Sequence, residues 1–238
     1  MGIKACQLVA HRGYQKYFPE NTMLAINEAI NHGAVNIEID IQLNDDGEVI
    51  LFHDVDMYRA TGRKGNIHTV SSSQLRKYFL SEPSRLGNQF SENPITFLRE
   101  LLPLIKKSPQ VNFFIEVKQE SVERYGVEYC IKRLTALINI QLPNVIIISF
   151  SGDIAYAAHQ LNFLCGLVIR DWAPREKLAN TYCADYLFIN EQCLPPNSDV
   201  SASVPVILYE ITDTLLALEY LRHGAYAIET FDIAKLLK

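Results

Sequence analysis

Residues 22–43 read TMLAINEAINHGAVNIEIDIQL, and this stretch decides the fold. Its first half is helical: Ile26, Ala29 and Ile30 recur on one face, and Gly33 stands where a left-handed C-cap is wanted. Its second half, Val35–Leu43, alternates strictly. Val35, Ile37, Ile39, Ile41 and Leu43 share one face of a strand, and Asn36, Glu38, Asp40 and Gln42 share the other. The apolar face is all β-branched or Leu and needs deep packing, which argues against a solvated edge strand with scattered acids. A helix feeding a buried strand is one unit of a parallel α/β sheet.

The unit recurs along the 238 residues. Strands are expected at Gln7–Ala10, Val35–Leu43, Val111–Val117, Val145–Phe150, Phe163–Ile169, Tyr186–Ile189, Val204–Leu208 and Ala225–Thr230. Helices are expected at Thr22–His32, Thr96–Lys107, Gly126–Ile138, Gly152–Gln160, Pro174–Asn180, Thr212–Arg222 and Ile233–Lys238. In Thr212–Arg222 the apolar face is read as Leu215, Leu218 and Leu221 or Leu216, and Pro103 is expected to kink Thr96–Lys107 or delay its start. Eight alternating strands predict a TIM-type (β/α)8 barrel spanning 1–238 as a single domain. An open doubly wound sheet is the alternative. Residues 54–93, rich in Gly, Ser, Asn and Pro, read as a small insertion after the second strand's hairpin, lying over the C-terminal face of the barrel. Asn190–Ser203 is too rich in Pro and Ser for a regular helix. His32-Gly33-Ala34-Val35-Asn36-Ile37-Glu38 is echoed by His223-Gly224-Ala225-Tyr226-Ala227-Ile228-Glu229, a helix end and strand start in each case.

Composition bounds the chemistry. Hydrophobic residues are 48%, charged residues 21% and the net charge is −5, so there is no bulk attraction to nucleic acid or an anionic membrane. No apolar run approaches the ~18–20 residues of a membrane helix. The N-terminus, Met1-Gly2-Ile3-Lys4-Ala5-Cys6, has neither a secretory pattern nor the Ser or Thr of a myristoylation site. Five cysteines without a C-x-x-C pair point to reduced thiols in a cytoplasmic protein. The sequence does not specify an oligomeric state.

Glu38 and Asp40, two apart on one strand face, sit about 6–7 Å apart. Like charges so placed in a partly buried site call for a cation, and a hard divalent ion with oxygen ligands is the simple solution. Val111–Val117 repeats the device: Glu116 and Lys118 emerge together where a barrel builds its active site. Glu116 is placed to complete a three-carboxylate site and Lys118 to pair with an anionic substrate, the alternative being a plain surface ion pair. His11-Arg12 and His53-Asp54 each end a strand; the histidines suit proton transfer, and the Arg12 fork suits phosphate. His32, His68, His159 and His223 are read as surface or capping residues. Three carboxylates, a divalent ion, Arg12 and Lys118 sum to about +1, which fits a phosphodiester monoanion.

These residues resemble the glycerophosphodiester phosphodiesterase family. The resemblance rests on His11-Arg12-Gly13, Pro19-Glu20-Asn21-Thr22, Ile37-Glu38-Ile39-Asp40, Asp45-Asp46-Gly47, His53-Asp54, Arg59-Ala60-Thr61-Gly62, Ile95-Thr96-Phe97, Ile115-Glu116-Val117-Lys118 and Ser149-Phe150, in that order. It implies a TIM barrel with an insertion after the second strand. It also implies hydrolysis of a small-molecule glycerophosphodiester to an alcohol and glycerol 3-phosphate with Mg2+ or Ca2+. By resemblance, His11 and His53 are general acid and base, and Glu38, Asp40 and Glu116 are metal ligands. Arg12, Lys118, Phe150 and Tyr209 bind substrate. The implied route is attack by the glycerol 2-hydroxyl to give a cyclic phosphate that water then opens. The C-terminal third departs from the family: Tyr209-Glu210 stands where Trp-Thr is usual, Phe231 separates Thr230 from Asp232, and Glu229 replaces an apolar residue. Two other readings remain open. One is a different phosphodiester such as a lysophospholipid, favoured if Phe79-Leu80, Phe90 and Trp172 form an exposed apolar mouth. The other is a non-catalytic phosphodiester-binding barrel.

Overall fold

The computed structural model describes residues 2–138, 142–195 and 199–237. Nine strands form one sheet: β1 (Leu8–Ala10), β2 (Asn36–Leu43), β3 (Val49–Leu51), β4 (Asn112–Val117), β5 (Val145–Ser149), β6 (Leu164–Ile169), β7 (Tyr186–Asn190), β8 (Val206–Tyr209) and β9 (Ala227–Thr230). Their order is β1-β9-β8-β7-β6-β5-β4-β2-β3, and a further β1–β2 pairing closes eight parallel strands into a TIM barrel. The antiparallel β3 is a hairpin partner on the outside of β2. The open-sheet alternative is excluded by this closure.

Around the barrel run α1 (Met23–Asn31), α2 (Tyr58–Thr61), α3 (Ser72–Leu75), α4 (Pro83–Leu86), α5 (Leu98–Lys107), α6 (Gln119–Tyr125), α7 (Val127–Thr135), α8 (Gly152–Gln160), α9 (Arg175–Tyr182), α10 (Thr214–Arg222) and α11 (Ile233–Leu236). The Thr22 hydroxyl caps α1 by accepting from the Ala25 N–H at 3.1 Å, and Gly33 ends the helix at φ 91°. Gly224 ends α10 in the same way at φ 100°, so both echoed segments turn alike. Gly13 is required twice over. Its φ is 79°, and a Cβ there would lie 2.7 Å from the Ala25 carbonyl carbon.

Apolar side chains on the outer strand faces pack against the helices. Inside the barrel, Val9, Phe114, Ile146, Ile148, Val168, Phe188, Ile207 and Ala227 form a separate plug. The polar face of β2 points to that same interior, above and beside the plug. Between β3 and α5, the three short helices α2, α3 and α4 fold over a small core of their own that includes Phe52, Met57, Ile67, Leu75, Leu80 and Phe97.

Local expectations need correction at four places. The helix α6 was not expected; Lys118 starts it directly from the end of β4. His68 is neither surface nor cap: it is 3% exposed, and its Nε2 meets Gln42 Oε1 at 2.9 Å. Leu215 is 77% exposed, and α10 buries Ala217 instead. The helix expected from Thr96 starts at Leu98 as α5, with Pro103 inside it and Glu100 accepting the Phe97 N–H at 3.0 Å. The link from β7 to β8 carries only a 3₁₀ turn, Glu191–Cys193, as its Pro- and Ser-rich sequence implied; residues 196–198 of it lie outside the described residues.

Candidate active site

Parallel register sets the chemistry. Asp40 of β2 pairs directly with Glu116 of β4, so the two carboxylates leave the sheet side by side on the interior face. Glu38 sits one layer deeper on the same face. One oxygen from each of the three lies within 4.8 Å of the others, and all three residues are buried. Burial, then the Asp40 and Glu229 carboxylates, push the Glu38 carboxyl well above its ordinary pKa. Burial also raises Glu116, against the pull of Lys118. Asp40 goes the other way: Lys118 and Arg12 outweigh its burial and hold it well below the ordinary range. Lys118 Nζ stands 3.3 Å from Asp40 Oδ1 and 2.9 Å from Glu116 Oε1. Arg12 Nε is 3.0 Å from Asp40 Oδ2.

The turn after β1 is held by the segment before α1. Arg12 adopts φ 53° and donates its backbone N–H to Glu38 Oε2 at 3.1 Å. Asn21, also left-handed at φ 55°, clamps Asp40 with both ends of its amide: Nδ2 donates to Oδ2 at 2.8 Å, and Oδ1 accepts the Asp40 N–H at 2.9 Å. The carboxylate of Glu20 pairs with Arg12 at 3.2 Å and with Arg59 of α2 at 2.5 Å. Arg59 Nε also holds Asp54 Oδ2 at 2.5 Å, and Asp54 Oδ1 meets His53 Nδ1 at 2.6 Å. A continuous chain of charges therefore ties His53 to Arg12 through the inserted segment.

His11 is 6% exposed and stacks on Phe231, with ring centroids 5.1 Å apart. Its burial, and then Arg12, lower its pKa well below the ordinary value. Its Nε2 lies 3.7 Å from Glu38 and 3.4 Å from Glu229.

An open pocket of about 460 Å³ unites these groups. His11, Arg12, Glu38, His53, Glu116, Lys118, Phe150 and Tyr209 all line it; Asp40 lies just beneath, held by Arg12 and Lys118. The structure thus brings all nine expected site residues together. It adds Glu210 and Glu229 to the lining. Glu229 pairs in register with Tyr209 and Val9 and faces the interior, as Glu116 does on β4. Its place two residues after Ala227 on the plug-facing side of β9 was the available signal. The clamp by Asn21 and the Glu20–Arg59 link carried no such signal, because loops have no periodicity. Of the residues expected to make an apolar mouth, Leu80 and Trp172 are buried and Phe90 packs on Phe18 at 5.9 Å, leaving Phe79 exposed.

Comparison with known proteins places this geometry. The sequence model of the Glycerophosphoryl diester phosphodiesterase family matches residues 11–187. A glycerophosphodiester phosphodiesterase of Caldanaerobacter subterraneus subsp. tengcongensis is 33% identical over 170 residues, 68% of each chain. One from Bacillus altitudinis is 31% identical over 156 residues, 65% of this chain and 62% of that one. The chain spans about half to two thirds of the length of such curated relatives. The fold matches that of an Oleispira antarctica phosphodiesterase solved with the product sn-glycerol-3-phosphate, with a TM-score of 0.84, 24% identity and coverage of 97% and 94% of the two chains.

Proposed function

The chain belongs to the glycerophosphoryl diester phosphodiesterase family, and from that premise we propose that it hydrolyses glycerophosphodiesters to an alcohol and sn-glycerol 3-phosphate in the cytoplasm. The observation that carries this reading is the convergence of His11 and His53 with three buried carboxylates and two cations in one pocket.

The carboxylates fit a divalent ion such as Mg2+ or Ca2+. Glu38 Oε1 is buried and accepts no hydrogen bond from any described residue, and an oxygen anion in that position needs a cation. Glu38, Asp40 and Glu116 would hold it. When bound, the ion polarises a phosphoryl oxygen and offsets carboxylate charge.

The remaining work falls to the protein. Arg12 and Lys118, fixed by Asp40, present cationic faces to the phosphate. Asp54 anchors His53 by Nδ1, leaving Nε2 to carry a proton. In the first step the glycerol 2-hydroxyl oxygen attacks phosphorus and loses its proton to one histidine. The phosphorus–oxygen bond to the alcohol breaks, and the other histidine protonates the departing oxygen. In the second step water attacks the cyclic phosphate and loses a proton to one histidine, the bond from phosphorus to the glycerol 2-oxygen breaks, the other histidine protonates that oxygen, and glycerol 3-phosphate is released. Phe150 and Tyr209 wall the pocket for the organic part of the substrate. Burial, then Glu116, push the Glu229 carboxyl well up. The buried Leu80 and Trp172 give no support to the lysophospholipid reading.

The test is release of glycerol 3-phosphate from a panel of glycerophosphodiesters with Mg2+, Ca2+ or chelator. Metal-dependent release from at least one member is expected. No release from any member, with metal bound, contradicts the proposal.

A further inference from the structure

Glu229 is an anomaly. It is 3% exposed and shares a cluster with Glu38, whose Oε1 is buried without a hydrogen-bond partner among the described residues. A buried carboxylate without a donor is costly. Glu229 Oε1 lies 3.4 Å from His11 Nε2, and the same nitrogen lies 3.7 Å from Glu38 Oε2. Both distances are too long for a hydrogen bond, which would bring nitrogen and oxygen to about 2.7–3.2 Å. They are close to the right lengths for something else. Donors about 2.0–2.2 Å from a tetrahedral ion lie about 3.3–3.6 Å from one another. One ligand atom from each of His11, Glu38 and Glu229 falls within 4.8 Å of the other two.

We propose that His11, Glu38 and Glu229 form a second cation site, distinct from Glu38–Asp40–Glu116, that takes a tetrahedral divalent ion of the Zn2+ class and shuts the enzyme off when filled. One nitrogen and two carboxylate oxygens are a donor set for Zn2+ rather than for Mg2+ or Ca2+, which prefer all-oxygen shells. Glu38 is common to both sites, so its two oxygens can serve two ions. The Nε2 lone pair that binds the ion is unavailable for proton transfer, and inhibition follows. This last consequence rests on the role proposed for His11; the site itself does not.

The experiment is equilibrium dialysis of Zn2+ against the full chain in excess Mg2+, with the exposed Cys6 and Cys193 replaced by serine to remove competing thiols. The chain should retain one Zn2+. Glu229→Gln and His11→Asn should each weaken it at least about tenfold, and Glu116→Gln by much less. Thermal melts verify that each variant is folded, and the two variants report independently. In parallel, the Zn2+ concentration that halves turnover should rise about as much in Glu229→Gln as its affinity falls. Equal Zn2+ affinity in wild type and Glu229→Gln overturns the site, as does an equal loss in Glu116→Gln. If Zn2+ binds as described but no glycerophosphodiester is turned over, the site stands and the proposed activity falls.

Discussion

His53 owes its setting to its neighbour. Asp54 holds Nδ1 at 2.6 Å and is itself held by Arg59, so the ring cannot turn away from the pocket. His11 is fixed differently, by stacking on Phe231. If each imidazole transfers a proton as proposed, His11→Ala and His53→Ala should each lower kcat by about 10²–10⁴ while the melting temperature stays close to wild type. Near-normal turnover in either variant contradicts the assignment. Tyr209 lines the pocket, and in the proposed reaction it is a wall rather than a reactant. Tyr209→Ala should therefore raise KM or change substrate preference, and Tyr209→Trp should do so much less; equal and negligible effects would place it outside the substrate's reach. At this scale the sequence was legible wherever a strand carried the residue. Glu38, Asp40 and Glu116 declare themselves by alternation, since an acid on a plug-facing position has no bland explanation. The same rule applied to Glu229 would have added it to the site. Asn21 and Glu20 could not be placed, because their partners, Asp40 and Arg59, are set by tertiary folding.

Among the elements, the eight barrel strands and most outer helices were readable because each buries a continuous apolar face. The inserted segment was not. Its helices are four residues each, too short for a periodic signal, and its core is shared with β3 and the start of α5. His68 shows what that hid. It joins the segment to the barrel through Gln42 and Ser121, and Gln42 in turn donates to the His53 carbonyl at 3.1 Å. Burial, then Arg124, lower the His68 pKa below its ordinary value. The unfolded chain thus binds the proton more readily. The contribution of neutral His68 is present above about pH 6.5 and is lost as pH falls through the folded-state value. At pH 7.5, His68→Gln should cost about 1–2 kcal/mol of unfolding free energy. The gap to wild type should narrow toward pH 5, as read by denaturant titration at both pH values. A gap that is independent of pH would show that His68 keeps its proton balance on folding.

For the whole molecule, barrel closure brings strands distant in sequence onto one mouth and concentrates carboxylates there that repel without a cation. An ion binding only the folded arrangement stabilises it by about 2.7 kcal/mol at a hundredfold excess over its Kd. For a chain of this size that is a rise in Tm of roughly 5–10 °C. Glu116→Gln should lose most of that rise and should melt above wild type in chelator, because one repelling charge is gone. Identical wild-type melting in chelator and in saturating Mg2+ or Ca2+ would dissolve the shared site. The most direct measurement of the central claim, that the carboxylates, cations and histidines of this mouth form one metal-dependent phosphodiesterase centre, is glycerol 3-phosphate release as metal is titrated into the metal-free wild type and Glu116→Gln. The account predicts saturable activation of the wild type from a background near zero, and activity at least about a hundredfold lower in the variant. Release that is equal in chelator and in metal, or undiminished in Glu116→Gln, would contradict it.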